Sequence, residues 1–198
     1  MQNQNKYIGD DKFQKLLEHY NCTAHPDLIK MRFAGAICSP NLNLRPTDVI
    51  SSLWEQGQSP RLQTKEEAEL FFKFFMGLWD DVFAKVKTNN ITLPAFKIKN
   101  HHDFVTTCSE RFALIIDGYL EGFWGGCENI KLPAYIAQII DSLSDLAEVY
   151  QQLSLRQIHD GEFDNLLKTL NHTDKTINRT LSFIIENYAL PRFEQISK

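Results

Sequence analysis

The chain has 198 residues, 43% hydrophobic and 23% charged, with a formal net charge of −4. That length and balance fit a globular protein needing no disulfide or metal staple, and they exclude extended disorder and a strongly basic nucleic-acid binder. No run approaches the roughly eighteen uninterrupted apolar residues of a membrane span, and the polar Met1–Lys6 lacks the apolar core of a secretory signal, so a cytoplasmic protein is expected.

Residues 1–9 are expected to be a flexible N-terminus. Asp10 and Asp11 cap a first helix whose Phe13, Leu16, Leu17 and Tyr20 share one face, and Asn21 ends it. Pro26 and Asp27 suit the first turn of a second helix running to about Cys38, with the small residues Ala34, Gly35 and Ala36 at its centre. Ser39–Pro40 breaks this helix, because a residue before proline is pushed out of the α region. Pro46, Thr47 and Asp48 start another, with Thr47 as N-cap of a helix from Asp48 to Trp54 that Gln56–Pro60 terminates.

Thr64-Lys-Glu-Glu67 is a capping box opening a long helix to about Val86. Ala68, Phe71, Phe72, Phe75, Trp79, Val82, Phe83 and Val86 form one apolar face, and Leu70, Phe74 and Leu78 add a second. A helix apolar over so much of its circumference is central to a bundle or shared with a second subunit. Ile91–Lys99 reads as an ordered loop, since Pro94 argues against a strand.

Asn100 or Asp103 caps the helix that carries Gly118-Tyr-Leu-Glu-Gly-Phe-Trp-Gly-Gly-Cys127. Glycine inside a helix costs roughly 0.5–1 kcal/mol relative to alanine, so Gly118 and Gly122 need a compensating reason. Close approach of a neighbouring helix supplies one, and the Ala34–Gly35–Ala36 centre is its expected partner. Gly125 and Gly126 then end the helix just after Trp124.

A helix from Pro133 to about Leu153 turns Ile136, Ile139, Ile140, Leu143, Leu146, Ala147 and Tyr150 inward, with Asp141, Asp145 and Glu148 outward. His159–Gly161 marks a turn. Two helices follow, Glu162 to Leu170 and, capped by Thr173, Asp174 to Tyr188, before Pro191 loosens the end. The fold expected is one all-α domain, a multi-helix bundle of about eight helices, with residues 154–198 as a looser C-terminal extension packed on residues 10–153.

Cys22, Cys38, Cys108 and Cys127 are scattered without a metal-binding spacing, and neither H-E-x-x-H nor E-x-x-H occurs, so no metal or cofactor is expected. Between Asp103 and Glu148 lie eight carboxylates, Glu110, Asp117, Glu121, Glu128, Asp141 and Asp145 being the others, against only Arg111 and Lys131. Such a surface repels phosphate backbones and fits a basic polypeptide better.

The phrase Phe33-Ala-Gly-Ala-Ile-Cys-Ser-Pro40, then Leu44-Arg-Pro-Thr47, Leu53-Trp54 and Gly118-Tyr-Leu-Glu-Gly-Phe123, resembles the YecA/YgfB-like family of bacterial proteins of unassigned function. The resemblance covers roughly residues 10–153, with Gly35, Pro40, Pro46, Gly118 and Gly122 as its structural positions. It implies an all-helical fold, capable of dimerising, with no assigned catalysis. Longer members of the family end in a cysteine-rich zinc tail; residues 154–198 contain no cysteine, so no metal role carries over.

Two functional readings follow. The first is a non-catalytic module that binds another protein, or a second copy of itself, through Trp54, Trp79, Tyr119 and Trp124 with acidic Glu121, Asp141 and Asp145 around them; aromatics are common interface anchors. The second is a metal-dependent phosphohydrolase of the His-Asp type, built on His101-His102-Asp103 and His159-Asp160 with His25 and Asp141 or Asp145 converging.

Overall fold

The computed structural model of the chain describes residues 6–54, 59–127, 130–157, 159 and 161–196. Regular structure among them is helical: α1 (Asp10–His19), α2 (Pro26–Cys38), α3 (Pro46–Ser51), α4 (Lys65–Lys87), α5 (His101–Ala113), α6 (Glu121–Trp124), α7 (Ala134–Leu155), α8 (Phe163–Ile184) and α9 (Leu190–Ile196). π-helical segments Leu114–Leu120 and Ile185–Ala189 join α5 to α6 and α8 to α9 without a break. The described residues therefore contain seven continuous helical rods. None is long and apolar enough to cross a membrane.

Helix starts follow local chemistry, in two places differently from the sequence reading. The first turn of α1 holds Asp10 and Asp11, but its N-cap is Gly9, so the two carboxylates act on the helix dipole rather than as caps. α3 begins at Pro46, not Asp48, because proline's fixed φ suits the first helical position. Asp48 reaches back instead, its Oδ2 accepting from the backbone N–H of Arg45 at 3.1 Å. Elsewhere the expected caps stand: Thr64 accepts from Glu67 N–H at 3.0 Å, and Asn100 from Asp103 N–H at 2.9 Å. Of the proposed terminator after Trp54, Gln56 to Gln58 lie outside the described residues.

α2 packs against α1, α3, α4, α6 and both π-helical segments, while α5, α7 and α8 pack on one another. Gly35 lies against the backbone of Tyr119 and Phe123, and Gly122 against the backbone of Arg32 and Ala36, so neither position has room for a Cβ. A Cβ at Gly118 would come 2.9 Å from that of Met31. The expected seam between Ala34–Ala36 and Gly118–Gly122 is thus present, and it runs along the π-helical segment. A π turn widens the helix and displaces its hydrogen bonds. Arg32 uses the displaced carbonyl of Asp117, donating from Nε at 2.9 Å and Nη2 at 2.6 Å. Gly125 then takes the left-handed φ of 53° that ends the rod after Trp124.

Residues 1–5 lie outside the described residues, and the backbone of Lys6 and Tyr7 lies against Gly77 of α4. A Cβ at Gly77 would come 2.9 Å from the carbonyl of Lys6. The Tyr7 hydroxyl donates to Asp10 at 2.5 Å, and its ring meets Phe13 edge-on at 5.9 Å.

The C-terminal region does not divide as expected. α8 runs unbroken through Thr173, which is buried and donates its hydroxyl to the carbonyl of Thr169 at 3.0 Å. The reason is burial: Leu166, Leu170, Thr173, Ile177, Leu181 and Ile184 form one uninterrupted helical stripe, whose packing overrides the local capping preference of Thr-Asp. Pro191 is absorbed as well. Its missing N–H frees the carbonyl four residues back, that of Asn187, which accepts the Tyr135 hydroxyl at 3.3 Å. Arg192, one residue on, donates to the carbonyls of Cys38 and Ser39 at 3.2 and 2.7 Å, satisfying orphan acceptors at the end of α2.

Candidate functional site

The four aromatics picked from the sequence do not share an open groove. Tyr119 is 0% exposed and Trp54 8%. The Trp54 indole donates to the carbonyl of Tyr20 at 3.0 Å and its ring meets Phe71 and Phe75, so it ties α1 to α4 from inside. Burial pushes the Tyr119 phenol well above its ordinary pKa, with Cys38 beside it adding to the shift. Trp79 and Trp124 are half-buried, against Phe33 at 5.1 Å and Phe123 at 5.5 Å. Trp54 and Tyr119 are thus part of the core, and Trp79 and Trp124 lie at its margin, each packed on an aromatic neighbour.

Of the acidic residues, Asp117 and Glu121 are exposed one turn apart next to Arg32. Burial lowers the Arg32 pKa, while Glu121 and Asp117 oppose that shift. Asp141, Asp145 and Glu148 are exposed on α7 and make no ion pair among the described residues. Glu128 lies outside the described residues.

The His-Asp residues are not gathered. Asp103 accepts from Lys99 N–H at 3.0 Å and completes the cap of α5; the His25 ring caps α2, accepting from Leu28 N–H at 3.3 Å; His101 packs on Phe163 at 4.7 Å. Asp160 lies outside the described residues, and among those described no group of three or more His, Cys, Asp or Glu could hold a metal ion.

What the molecule does present is a strip on α4. The core-facing residues are Phe71, Phe75, Leu78, Val82 and Val86. The other face-mates expected to be buried are not: Phe72 is 38% exposed and Phe83 37%, with Ala68 and Met76 half-buried between and beside them. Ala68, Phe72, Met76 and Phe83 fall at i, i+4, i+8 and i+15, one line along the helix. A shallow, mostly apolar hollow follows its N-terminal half, lined by Lys65, Ala68, Glu69, Phe72, Lys73 and Met76. At the other end, Phe83 touches Phe193 at 5.6 Å and lies under the Lys87 ammonium at 5.8 Å. Glu66, Lys73, Asp80 and Lys87 border the strip on the side away from the core. The signal was present in the sequence as an apolar arc too wide for one buried face, but nothing local says which edge of the arc turns outward.

Compared with protein-family models, curated proteins and solved structures, the chain matches none.

Proposed function

We propose that this chain is a non-catalytic, cytoplasmic helical protein, a single-domain bundle of the YecA/YgfB-like type, that acts by binding polypeptide, first of all a second copy of itself through the α4 strip. The line of exposed Phe72 and Phe83 with half-buried Met76 between them carries this reading. Its charged border is self-complementary: Lys73 and Asp80 are equally far from the midpoint between Met76 and Gly77, and so are Glu66 and Lys87. Antiparallel pairing about a two-fold axis at that midpoint sets Lys73 against Asp80 of the second copy and Glu66 against its Lys87, each twice. The apolar rings then meet between the charges.

The YecA/YgfB-like assignment is supported by the seam, because Gly35, Gly118 and Gly122, which carry the resemblance, stand where two helices nearly touch. The cytoplasmic setting is supported by four free cysteines, three of them buried. A basic polypeptide is the second class of partner, favoured by the unpaired row Asp141, Asp145 and Glu148.

Sedimentation equilibrium tests the self-pairing. The wild type should be a dimer, Phe72→Asp a folded monomer and Lys73→Asp a weakened dimer that adding Asp80→Lys restores. A monomeric wild type, or a charge swap that restores nothing, rejects the α4 pairing.

A further inference from the structure

The open hollow on the N-terminal half of α4 and the aromatic end of the same strip match one another in position, size and charge. The hollow, about 480 Å³, is lined by Ala68, Phe72 and Met76 with Lys65, Glu69 and Lys73 around them. An apolar cavity of about 150 Å³ takes one benzene ring, so this one has room for more than one. At the other end Phe83 does not stand alone: Phe193 of α9 lies against it, with ring centroids 5.6 Å apart. The few residues of α9 cannot hold a helix by themselves, and Arg192 fastens them through its two hydrogen bonds to the carbonyls of Cys38 and Ser39. Phe193 is therefore kept beside Phe83 by the fold.

Position decides what meets the hollow. Phe83 and Leu70 are equally far from the midpoint between Met76 and Gly77, so a two-fold axis there brings Phe83 of one copy level with position 70 of the other. Position 70 falls between Ala68 and Phe72, at the middle of the hollow. Charge agrees with position. Lys65, Glu69 and Lys73 leave the hollow net positive, whereas Asp80, Lys87 and exposed Glu194 around the aromatic pair leave that end net negative, the charge of Arg192 being turned to α2.

We propose that the hollow of each copy receives the Phe83–Phe193 pair of the other, so that α9 is part of the self-pairing surface. This rests on the α4 pairing and adds to it what fills the hollow. Phe83 alone leaves most of the volume empty, and Phe193 supplies the second ring. Aromatic anchors seated in pockets are where interface energy concentrates. Because the pairing is two-fold, every dimer contains two such contacts, each joining the aromatic pair of one copy to the hollow of the other. A lid is the opposite arrangement: α9 then leaves Phe83 before pairing, and loss of Phe193 tightens the dimer.

Sedimentation equilibrium of the full chain separates these arrangements. Phe193→Ala removes the second ring from both contacts, and Ala68→Phe fills both hollows. At about tenfold for each contact, either variant should weaken the dimer about a hundredfold. Mixed in equal amounts, the two variants should form a mixed dimer about tenfold tighter than either variant alone, since it keeps one intact aromatic pair facing one open hollow. Ala68 and Phe193 are only half-buried, and far-UV circular dichroism should show both variants helical at the working temperature. A Phe193→Ala dimer as tight as the wild type, or tighter, overturns the proposal while leaving the α4 pairing standing, and so does a mixture no tighter than its parts. A monomeric wild type overturns both.

Discussion

The carbonyl oxygen of Tyr119 occupies the space into which any side chain at Gly35 would grow. Gly122 stands in the same relation to the carbonyl of Arg32, so α2 and the π-to-α6 rod are joined at two points by backbone against backbone.

Substituting either glycine should therefore be severe even with alanine. Gly35→Ala and Gly122→Ala are each expected to cost about 3 kcal/mol, the upper range for overpacking, because a backbone atom cannot rotate away. Gly126→Ala is the control. It has φ +70° and nothing within 4 Å, so only strain of about 1 kcal/mol should appear. Urea unfolding ranks the three, and a Gly122→Ala no worse than Gly126→Ala would sink the seam.

Arg192 is a second, longer-range fastening. Arg192→Ala removes two charge-assisted hydrogen bonds to the end of α2 and should lower stability by about 2 kcal/mol. Arg192→Lys should recover only part of this, since one ammonium cannot reproduce the fork that spans two carbonyls. Hydrogen exchange at the C-terminal turn of α2 should rise in the alanine variant.

Thiol chemistry should sort the cysteines. Burial pushes the Cys38 and Cys108 thiols up to about 12 and raises that of Cys22, whereas Cys127 is half-exposed with its sulfur accepting from the Asn41 amide at 3.2 Å. An aromatic disulfide reagent at pH 8 should label Cys127 quickly and the other three only on unfolding. The same shifts set an alkaline limb. Unfolded thiols ionise near pH 9 while the folded ones hold their protons, so stability falls as pH rises from about 9 towards 12. A second thiol reacting as fast as Cys127 would contradict the burial of its site.

On the acid side the group to follow is Asp10. Burial alone would raise its carboxyl, but hydrogen bonds from Lys30 and Tyr7 outweigh that and hold it below the usual carboxylate range. A depressed folded pKa stabilises above the unfolded value of about 4 and is lost as pH falls through the folded one. Asp10→Asn should flatten the stability profile below about pH 4. An unchanged profile would show that the Lys30 and Tyr7 contacts are not maintained in solution.

Sequence legibility followed locality. Thr64, Pro26 and Asn100 announce their helices because each cap acts within a single turn, and Gly118 to Gly126 announces a seam and a stop because glycine there has few other uses. Thr173-Asp174 misleads for the same reason in reverse. It has the chemistry of a cap, but Asp174 answers Arg111, 63 residues away, and no local pattern records that pairing. Trp54 and Tyr119 look like anchors because aromatic residues serve surfaces and cores alike. Phe71 and Phe72 are chemically identical neighbours, and only the placement of α1 and α3 decides which is covered.

The bonds from Arg192 to Cys38 and Ser39 also order events in time. They join residues 154 and 153 positions apart, so α2 can form early from its own sequence while its last carbonyls stay bare until the far end of the chain returns. Loop closure over that span makes this one of the last contacts to form. A protease that trims α9 would reopen the same site in a finished molecule, so assembly and degradation meet at the same two carbonyl groups.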